Sequence, residues 1–285
     1  MLHYLVLGGN GYLGAKIIEL LADNEHKVVC TVRNQTLRKD FKKQNVRVIP
    51  ASLDSIETAF QYNDFDMVIN AVCNYGRSEV LYGDVIEANV EFPIKVLDMS
   101  VANGVKKFVT IGTGLPDDLN MYTYSKKVFS EFGKFYVEKQ NIDFIVMKLE
   151  MFYGFDEPVN RFLPGVIRKM LSGEEINVTL GTQHRDIISV NDVIYAIKTV
   201  INSDLSGYHE IPVGSGVAPT IAEIIEYLND ITDKKSVVNF GAVPMRKNEP
   251  DSVADTELLK DICDWDPVFW KTGLKNMVEQ IKETL

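Results

Sequence analysis

Near the amino terminus an apolar run, His3-Tyr4-Leu5-Val6-Leu7, empties into Gly8-Gly9-Asn10-Gly11-Tyr12-Leu13-Gly14. A segment with apolar residues at helical spacing, Ala15 to Leu21, comes directly after it. Strand, glycine turn and helix in that order admit few folds. A turn so poor in side chains lets backbone N–H groups approach an anion closely, and the helix behind it points the positive end of its dipole at the same place. That is how a parallel α/β sheet holds a dinucleotide pyrophosphate. Two spacings coexist, G-x-G-x-x-G through Gly9, Gly11 and Gly14, and G-x-x-G-x-x-G through Gly8, Gly11 and Gly14. A plain tight turn is the alternative reading, but the motif requires a strand before it and a helix after it, and both are here. Gly8, Asn10, Gly11, Tyr12, Leu13 and Gly14 are accordingly expected at the cofactor.

The rest of the first half alternates strand and helix. Strand patterns cover Lys27 to Val32, Asn45 to Ile49, Asp66 to Ala71, Val105 to Ile111 and Ile142 to Leu149. Helical patterns cover Ile56 to Tyr62, Tyr82 to Asn103 and Tyr122 to Gln140. Repeated β-α units predict an α/β fold, a Rossmann-type doubly wound parallel sheet with its ligand crevice at the carboxyl ends of the strands. Beyond Gly154 prolines and glycines break the pattern into short pieces. The expected division is a dinucleotide-binding domain over 1–154 and a smaller substrate-binding lobe over 155–285, with some segments returning to the first domain.

Which dinucleotide is bound turns on the end of the second strand. An NAD site usually has Asp or Glu there, accepting from the ribose hydroxyls. This chain has Val32-Arg33-Asn34, and a guanidinium pairs with a 2'-phosphate, so NADPH is expected over NADH. A solvated loop arginine is the other reading of Arg33; Arg38 could assist or face water.

Charge then excludes other partners. A net charge of −10 lacks the massed Lys and Arg that sequence-independent phosphate affinity needs, so nucleic acid is not expected. No apolar run approaches the roughly 20 residues that span a bilayer, and the first has no basic flank or cleavage site. A cytoplasmic protein is expected, without membrane contact. Cys30, Cys73 and Cys263 are odd in number and far apart, fitting buried thiols in a reducing compartment. The four histidines share no metal-ligand spacing and no G-x-S-x-G occurs, so no metal and no hydrolase triad is expected.

Candidate chemistry lies in Phe108-Val109-Thr110-Ile111-Gly112-Thr113-Gly114 and in Tyr122-Thr123-Tyr124-Ser125-Lys126. Tyr122 and Lys126, four apart on a helix, share one face, and a nearby ammonium is expected to stabilise the phenolate. Thr113, at a strand end, is placed to hydrogen-bond the same substrate oxygen. Tyr12 and Lys16 have the same spacing, but only Tyr122 comes after a strand end that carries a hydroxyl. A surface tyrosine with a helical lysine neighbour is the bland alternative.

With these residues in place, the chain resembles the extended short-chain dehydrogenase/reductase family of nucleotide-sugar enzymes over nearly its whole length. The likeness runs through Gly8 to Gly14, Asn89 in Glu87-Ala88-Asn89-Val90, Thr113, Tyr122 to Lys126 and Arg185 to Val193. It continues in Arg246 with Glu249, in Asp255 and in Trp265-Asp266-Pro267. Asn74-Tyr75-Gly76-Arg77, Thr113-Gly114-Leu115-Pro116 and Met147 to Gly154 look like the branch of CDP-abequose and CDP-paratose synthases and related 4-ketoreductases. The resemblance implies Thr113, Tyr122 and Lys126 as the catalytic trio, with Lys126 also holding the nicotinamide ribose. Ser52, Leu53, Ala71, Val72 and Leu149 join the cofactor set. Asn74, Arg77, Met151, Arg185 and Arg246 form the substrate set, the last two arginines clamping a diphosphate. Ser52 stands where family members usually carry an adenine-binding Asp, and Met151 where galactose epimerases have an Asn. The family also implies a homodimer through a four-helix bundle of Tyr82 to Asn103 and Tyr122 to Gln140, for whose seam Val85, Val90, Phe129 and Phe132 are available.

The two residues after Thr113 narrow the reaction. Family dehydratases have an Asp-Glu pair there; this chain has Gly114-Leu115. The expectation is therefore NADPH-dependent reduction of the C4 ketone of a nucleoside-diphospho-4-keto-6-deoxyhexose, a CDP- or dTDP-sugar, in deoxysugar biosynthesis for surface polysaccharide. The rivals are a nucleotide-sugar epimerase with retained cofactor and a non-catalytic, regulatory dinucleotide binder.

Overall fold

Short apolar runs bounded by turn residues form strands, and longer runs with 3.6-residue periodicity form helices, in a computed structural model that describes residues 1–33, 44–77, 80–247 and 249–284. Arg38 lies outside the described residues. The strands are β1 (His3–Leu7), β2 (Lys27–Val32), β3 (Val46–Pro50), β4 (Met67–Asn70), β5 (Lys107–Thr113), β6 (Asp143–Leu149), β7 (Met151–Tyr153), β8 (Ile176–Val178), β9 (Ile187–Ser189), β10 (Tyr208–Val213) and β11 (Val238–Phe240). The helices are α1 (Tyr12–Asp23), α2 (Leu53–Tyr62), α3 (Tyr82–Ile86), α4 (Phe92–Ala102), α5 (Met121–Gln140), α6 (Phe162–Ser172), α7 (Val190–Asn202), α8 (Ile221–Ile231), α9 (Glu257–Ile262) and α10 (Trp270–Lys282).

Seven strands make one sheet in the order β10-β6-β5-β4-β1-β2-β3. The pairs β1–β2, β1–β4, β2–β3 and β4–β5 are parallel. Strand β10 runs beside β6 in the same sense, Phe144 N–H donating to the Gly207 carbonyl and Glu150 N–H to that of Val213. The order reverses direction after β1, which steps outward to β2 and β3 before the chain returns to β4. This is the Rossmann-type doubly wound sheet, and the crevice it opens lies at the carboxyl ends of β1 and β4.

Two compact units divide the chain, Met1–Lys148 with Ile197–Ile211, and Leu149–Ala196 with Pro212–Leu285. In the first, Leu5, Leu7, Val68, Phe108 and Phe144 of the sheet pack with Ile56, Leu97 and Phe129 of the helices. The Phe108 and Phe144 rings stack 5.5 Å apart and Phe129 meets both edge-on. This close approach explains a glycine in the middle of α5, because a Cβ on Gly133 would run into the Phe144 ring.

The span expected as one helix, 82–103, is interrupted. Between α3 and α4 the residues Glu87–Glu91 form a π-turn, and Pro93 opens α4. Proline has no N–H for the carbonyl four residues back, so the regular ladder breaks there and an extra residue is accommodated. The turn carries Asn89 inward, where it is buried.

The second unit holds two small sheets, β8 with β11 and β7 with β9. Its core joins Leu163 and Ile167 of α6, Ile224 and Leu228 of α8, and Trp270, Leu274 and Ile281 of α10. A fully buried carboxylate, Asp186, organises its loops, accepting from Ser215 N–H and Oγ–H and from the N–H groups of Gly216 and Ala254.

Candidate active site

Gly8, Gly11 and Gly14 close on one another in the glycine turn, and Gly9 packs against β2 and α1. Gly8 has φ +85°, a left-handed conformation that suits glycine. Its carbonyl accepts from Gly11 N–H at 3.0 Å. A Cβ on Gly14 would collide with that same carbonyl oxygen. Gly9 instead ties the turn to β2, donating to the Thr31 carbonyl at 2.9 Å. Gly11 caps α1 without any side-chain bond. A backbone cradle of this kind, too tight for Cβ atoms and set at a helix N-terminus, fits a dinucleotide pyrophosphate.

The other expected cofactor residues fall at strand ends and at one helix start. Ala71 and Val72 come after β4 and lie against Gly8, whose Cβ would sit 3.1 Å from the Ala71 carbonyl and the Val72 nitrogen. Arg33 is exposed just past β2, and Leu149 ends β6. Ser52 acts as the N-cap of α2, its Oγ accepting from Ser55 N–H, and Leu53 begins that helix. The Ser52 hydroxyl is thus engaged in capping. Tyr12 and Lys16 sit on α1 with the ammonium 5.2 Å from the centre of the phenol ring, over its face.

Thr113, Tyr122 and Lys126 come together in the first unit. Thr113 is buried at the end of β5. Tyr122 stands in the first turn of α5, which Asn120 and Thr123 fix with a reciprocal capping box. The Thr113 hydroxyl is near enough to the Tyr122 phenol to favour its ionised form. One turn on, buried Lys126 donates from Nζ to the carbonyls of Val72 at 3.0 Å and Ile111 at 2.9 Å. The ammonium thereby ties α5 to the ends of β4 and β5.

The electrostatics correct one expectation. Lys126 is expected from its spacing to pull the Tyr122 phenol down, yet burial pushes it well up, with Cys73 and Tyr75 adding to the rise and the Thr113 hydrogen bond opposing it. Burial also lowers Lys126, partly offset by Cys73. Tyr122 is held here as a neutral phenol.

The segment after β4 supplies groups that the sequence does not single out. Cys73 opposes ionisation of the Tyr122 phenol, and the Tyr75 ring lies 5.0 Å from the Tyr122 ring. Arg77, expected at the substrate, stacks over Tyr75 at 5.0 Å. Asn74, also expected there, spends its side chain on its own loop, accepting from Gly76 N–H and donating to the Asp84 carbonyl. The expectation of three buried thiols holds for Cys30 only; Cys73 and Cys263 are half-buried. No spacing rule marks a lone thiol as a neighbour of a tyrosine 49 positions on; the adjoining motif Asn74 to Arg77 is the nearest signal.

In the second unit Met151 is half-buried in β7, its N–H donating to the Asp186 carbonyl. Arg185, expected to clamp a diphosphate, is buried, and its guanidinium donates to the carbonyls of His184 and Pro250 and to Glu249 at 2.5 Å. Much of its donor capacity therefore goes to pinning the 249–250 segment. Arg246 is exposed on the loop after β11.

The dimer seam also needs correcting. Val85, Val90 and Phe129 are buried within the protomer. What α4 and α5 expose is a groove lined by Ile94, Tyr124, Val128, Phe132, Phe135 and Tyr136. Among the described residues no group of three His, Cys, Asp or Glu could hold a metal ion, and no helix is long and apolar enough to cross a membrane.

Residues 4–214 match the model of the NAD dependent epimerase/dehydratase family. CDP-abequose synthase of Salmonella typhimurium is 28% identical over 296 residues, covering 98% of each chain. Among solved structures, UDP-glucose 4-epimerase of Thermotoga maritima with UDP-glucose superposes with a TM-score of 0.86 at 21% identity, covering 99% of both chains. UDP-glucuronic acid 4-epimerase of Bacillus cereus, in complex with UDP-glucuronic acid and NAD, gives 0.87 at 20% identity, covering 99% of this chain and all of that one.

Proposed function

Since the chain belongs to the NAD dependent epimerase/dehydratase family, we propose that it is an NADPH-dependent reductase of the C4 ketone of a nucleoside-diphospho-4-keto-6-deoxyhexose, a CDP- or dTDP-sugar. The observation that carries this reading is the Thr113–Tyr122 hydroxyl pair at the end of β5, with Lys126 fixed one helical turn away. The near full-length likeness to a CDP-abequose synthase supports the sugar class. Gly114-Leu115 in place of an Asp-Glu pair supports reduction over elimination, which needs a separate acid and base.

Gly8, Asn10, Gly11, Tyr12, Leu13 and Gly14 would hold the pyrophosphate, and Ala71, Val72, Lys126 and Leu149 the rest of the dinucleotide. When bound, the cofactor supplies the hydride that the C4 carbon accepts. Tyr122 gives its proton to the C4 oxygen, and burial keeps that proton on the phenol until the oxygen gains charge. Thr113 aims the hydroxyl and polarises the ketone. Lys126 keeps a cation close to the phenol as it ionises. Arg33 pairs with a 2'-phosphate, which selects NADPH. Arg246 meets the diphosphate, and Arg185, engaged with Glu249 and Pro250, has less to offer it. Two copies pair through the α4–α5 groove.

NADPH oxidation against a panel of CDP-, dTDP-, UDP- and GDP-4-keto-6-deoxyhexoses tests this, with the new C4 centre read by NMR. Turnover with a CDP- or dTDP-sugar is expected. Interconversion of C4 epimers without net NADPH consumption would establish an epimerase instead, and cofactor binding with no turnover of any sugar a regulatory binder.

A further inference from the structure

Asn70 closes β4 and is buried, as is Thr110, its cross-strand partner on β5. Asparagine is depleted in strands, and an unmet amide atom in a buried sheet costs free energy. Here both ends of the amide are used. Nδ2 donates to Thr110 Oγ1 at 3.1 Å, and Oδ1 accepts from Val72 N–H, also at 3.1 Å. The second bond turns the chain out of the strand two residues on. The Val72 carbonyl then accepts from Lys126 Nζ at 3.0 Å, while Ile111, the residue after Thr110, gives its carbonyl to the same ammonium at 2.9 Å. Both acceptors of the lysine therefore hang from one side-chain bond, Asn70 to Thr110, that joins β4 to β5. The Ala71–Val72 peptide also lies against Gly8 of the glycine turn.

We infer that Asn70 is a positioning residue for Lys126: by holding Val72 N–H it aims the Val72 carbonyl at the ammonium, and its bond to Thr110 sets the spacing between that carbonyl and the one from Ile111. This role rests on the reading that Lys126 helps to hold the dinucleotide. A residue has two soft dihedrals, and Val72, held at its N–H and at its carbonyl, has both of them restrained. An ammonium has three N–H groups. Two go to these carbonyls, so the direction of the third, the one left for a cofactor hydroxyl, depends on where the carbonyls stand. Lys126 is buried, and a buried ammonium needs such acceptors to keep its charge. The influence of Asn70 on Lys126 passes through the backbone of Val72.

A double-mutant cycle on NADPH affinity, measured by fluorescence titration of the sugar-free protein, tests this. Asn70→Ala should weaken NADPH by about threefold to tenfold, the worth of one hydrogen bond. Asn70→Ser, whose hydroxyl can hold Val72 N–H more weakly, should recover part of the loss. Lys126→Met should weaken NADPH further. In the Lys126→Met background Asn70→Ala should add less than about twofold, because the group it positions is gone. A loss in that background as large as in wild type overturns the role, since it would show Asn70 acting on the sheet or on the glycine turn instead. Lys126→Met with unchanged affinity, or a wild type that binds no dinucleotide, overturns the place of Lys126 at the cofactor and the inference with it. Thr110→Val keeps the shape of the side chain, removes the hydroxyl that tethers the amide, and carries the same cycle should Asn70→Ala fail to fold. Its smaller loss should also vanish without Lys126, and a loss that persists there overturns the role in the same way. The titration uses no sugar, so a failed reductase assay leaves its result untouched.

Discussion

Asn89 presents both ends of its side-chain amide to the backbone of Asn74, accepting from its N–H and donating to its carbonyl, each at 2.8 Å. A third bond, at 2.9 Å, runs from the same Nδ2 to Ser125 Oγ, and that hydroxyl donates to the Tyr122 carbonyl at 2.7 Å. One buried residue in a π-turn therefore sets both the segment bearing Cys73 and Tyr75 and the helical turn bearing Tyr122. Asn89→Ala leaves the part-buried N–H and C=O of Asn74 without these partners, at a cost of about 1 to 3 kcal/mol. Chemical denaturation should show that loss, and kcat should fall by more than the KM for either substrate rises.

Tyr122→Phe removes the proton donor while keeping the ring that packs on Tyr75. Turnover should fall by roughly 10² to 10⁴-fold, the usual worth of a positioned general acid, with folding and NADPH affinity unchanged. Tyr12→Phe, which leaves the ring beneath Lys16 in place, should stay near wild type. Steady-state assays of the two variants side by side settle which Y-x-x-x-K pair carries the chemistry; the reverse pattern would transfer the role to α1.

Arg33 is exposed where β2 meets the glycine turn. A charge-assisted contact to a 2'-phosphate contributes about 1.5 to 3 kcal/mol, or roughly 10 to 100-fold in affinity. Arg33→Ala should weaken NADPH by that factor and leave NADH nearly unchanged. Val32→Asp with Arg33→Asn should reverse the preference by adding a ribose acceptor that repels the phosphate. Fluorescence titration of both cofactors reads each case; equal binding of NADH and NADPH by wild type would remove the NADP assignment and leave the reductase reading in place.

Glu157, between β7 and α6, is buried, and burial pushes its carboxyl up to about 7, with Arg161 at 3.6 Å offsetting part of the rise. Its ordinary value is 4.5, so between that pH and about 7 the folded protein holds a proton that the unfolded chain has lost. Stability is then greatest below the ordinary value and falls as pH rises through this window. The shift corresponds to about 3 kcal/mol. Glu157→Gln cannot ionise, so its stability relative to wild type should increase by about 2 to 3 kcal/mol from pH 4.5 to pH 8. Urea melts across that range check it, and a flat difference would show that Glu157 ionises normally.

The apolar groove over α4 and α5 places Tyr124, Phe132 and Phe135 in solvent on one face, all at least 41% exposed. A patch of aromatic side chains like this favours an isologous pairing of two copies. Wild type should be a dimer at micromolar concentration by light scattering, and Phe132→Glu with Phe135→Glu a monomer that still binds NADPH. A monomeric wild type would remove this interface.

Local chemistry along the chain was enough for the frame of the molecule. The succession of apolar run, glycine turn and periodic helix is a short-range pattern, and β1, the turn and α1 obey it; β2 falls on Lys27–Val32, the span its pattern marks. Strand against helix is decided by periods of 2 and 3.6 residues, which the sequence displays directly. Even the break at Pro93 was visible in principle, since a missing N–H is a property of one residue. What depended on contacts between distant residues had to wait for folding. Gly14 was singled out from its neighbours because its Cβ would meet the Gly8 carbonyl, a distance set by how the turn closes. Val85, Val90 and Phe129 look like seam residues on their helices, and only the folded protomer shows that they are buried within it. Arg185 has the charge for an anion, yet the ion pair with Glu249, 64 positions away, engages it internally. The clamp of Asn89 on Asn74 and its bond to Ser125, beside Tyr122, carry no pattern at all, and neither relation is written in the order of the residues.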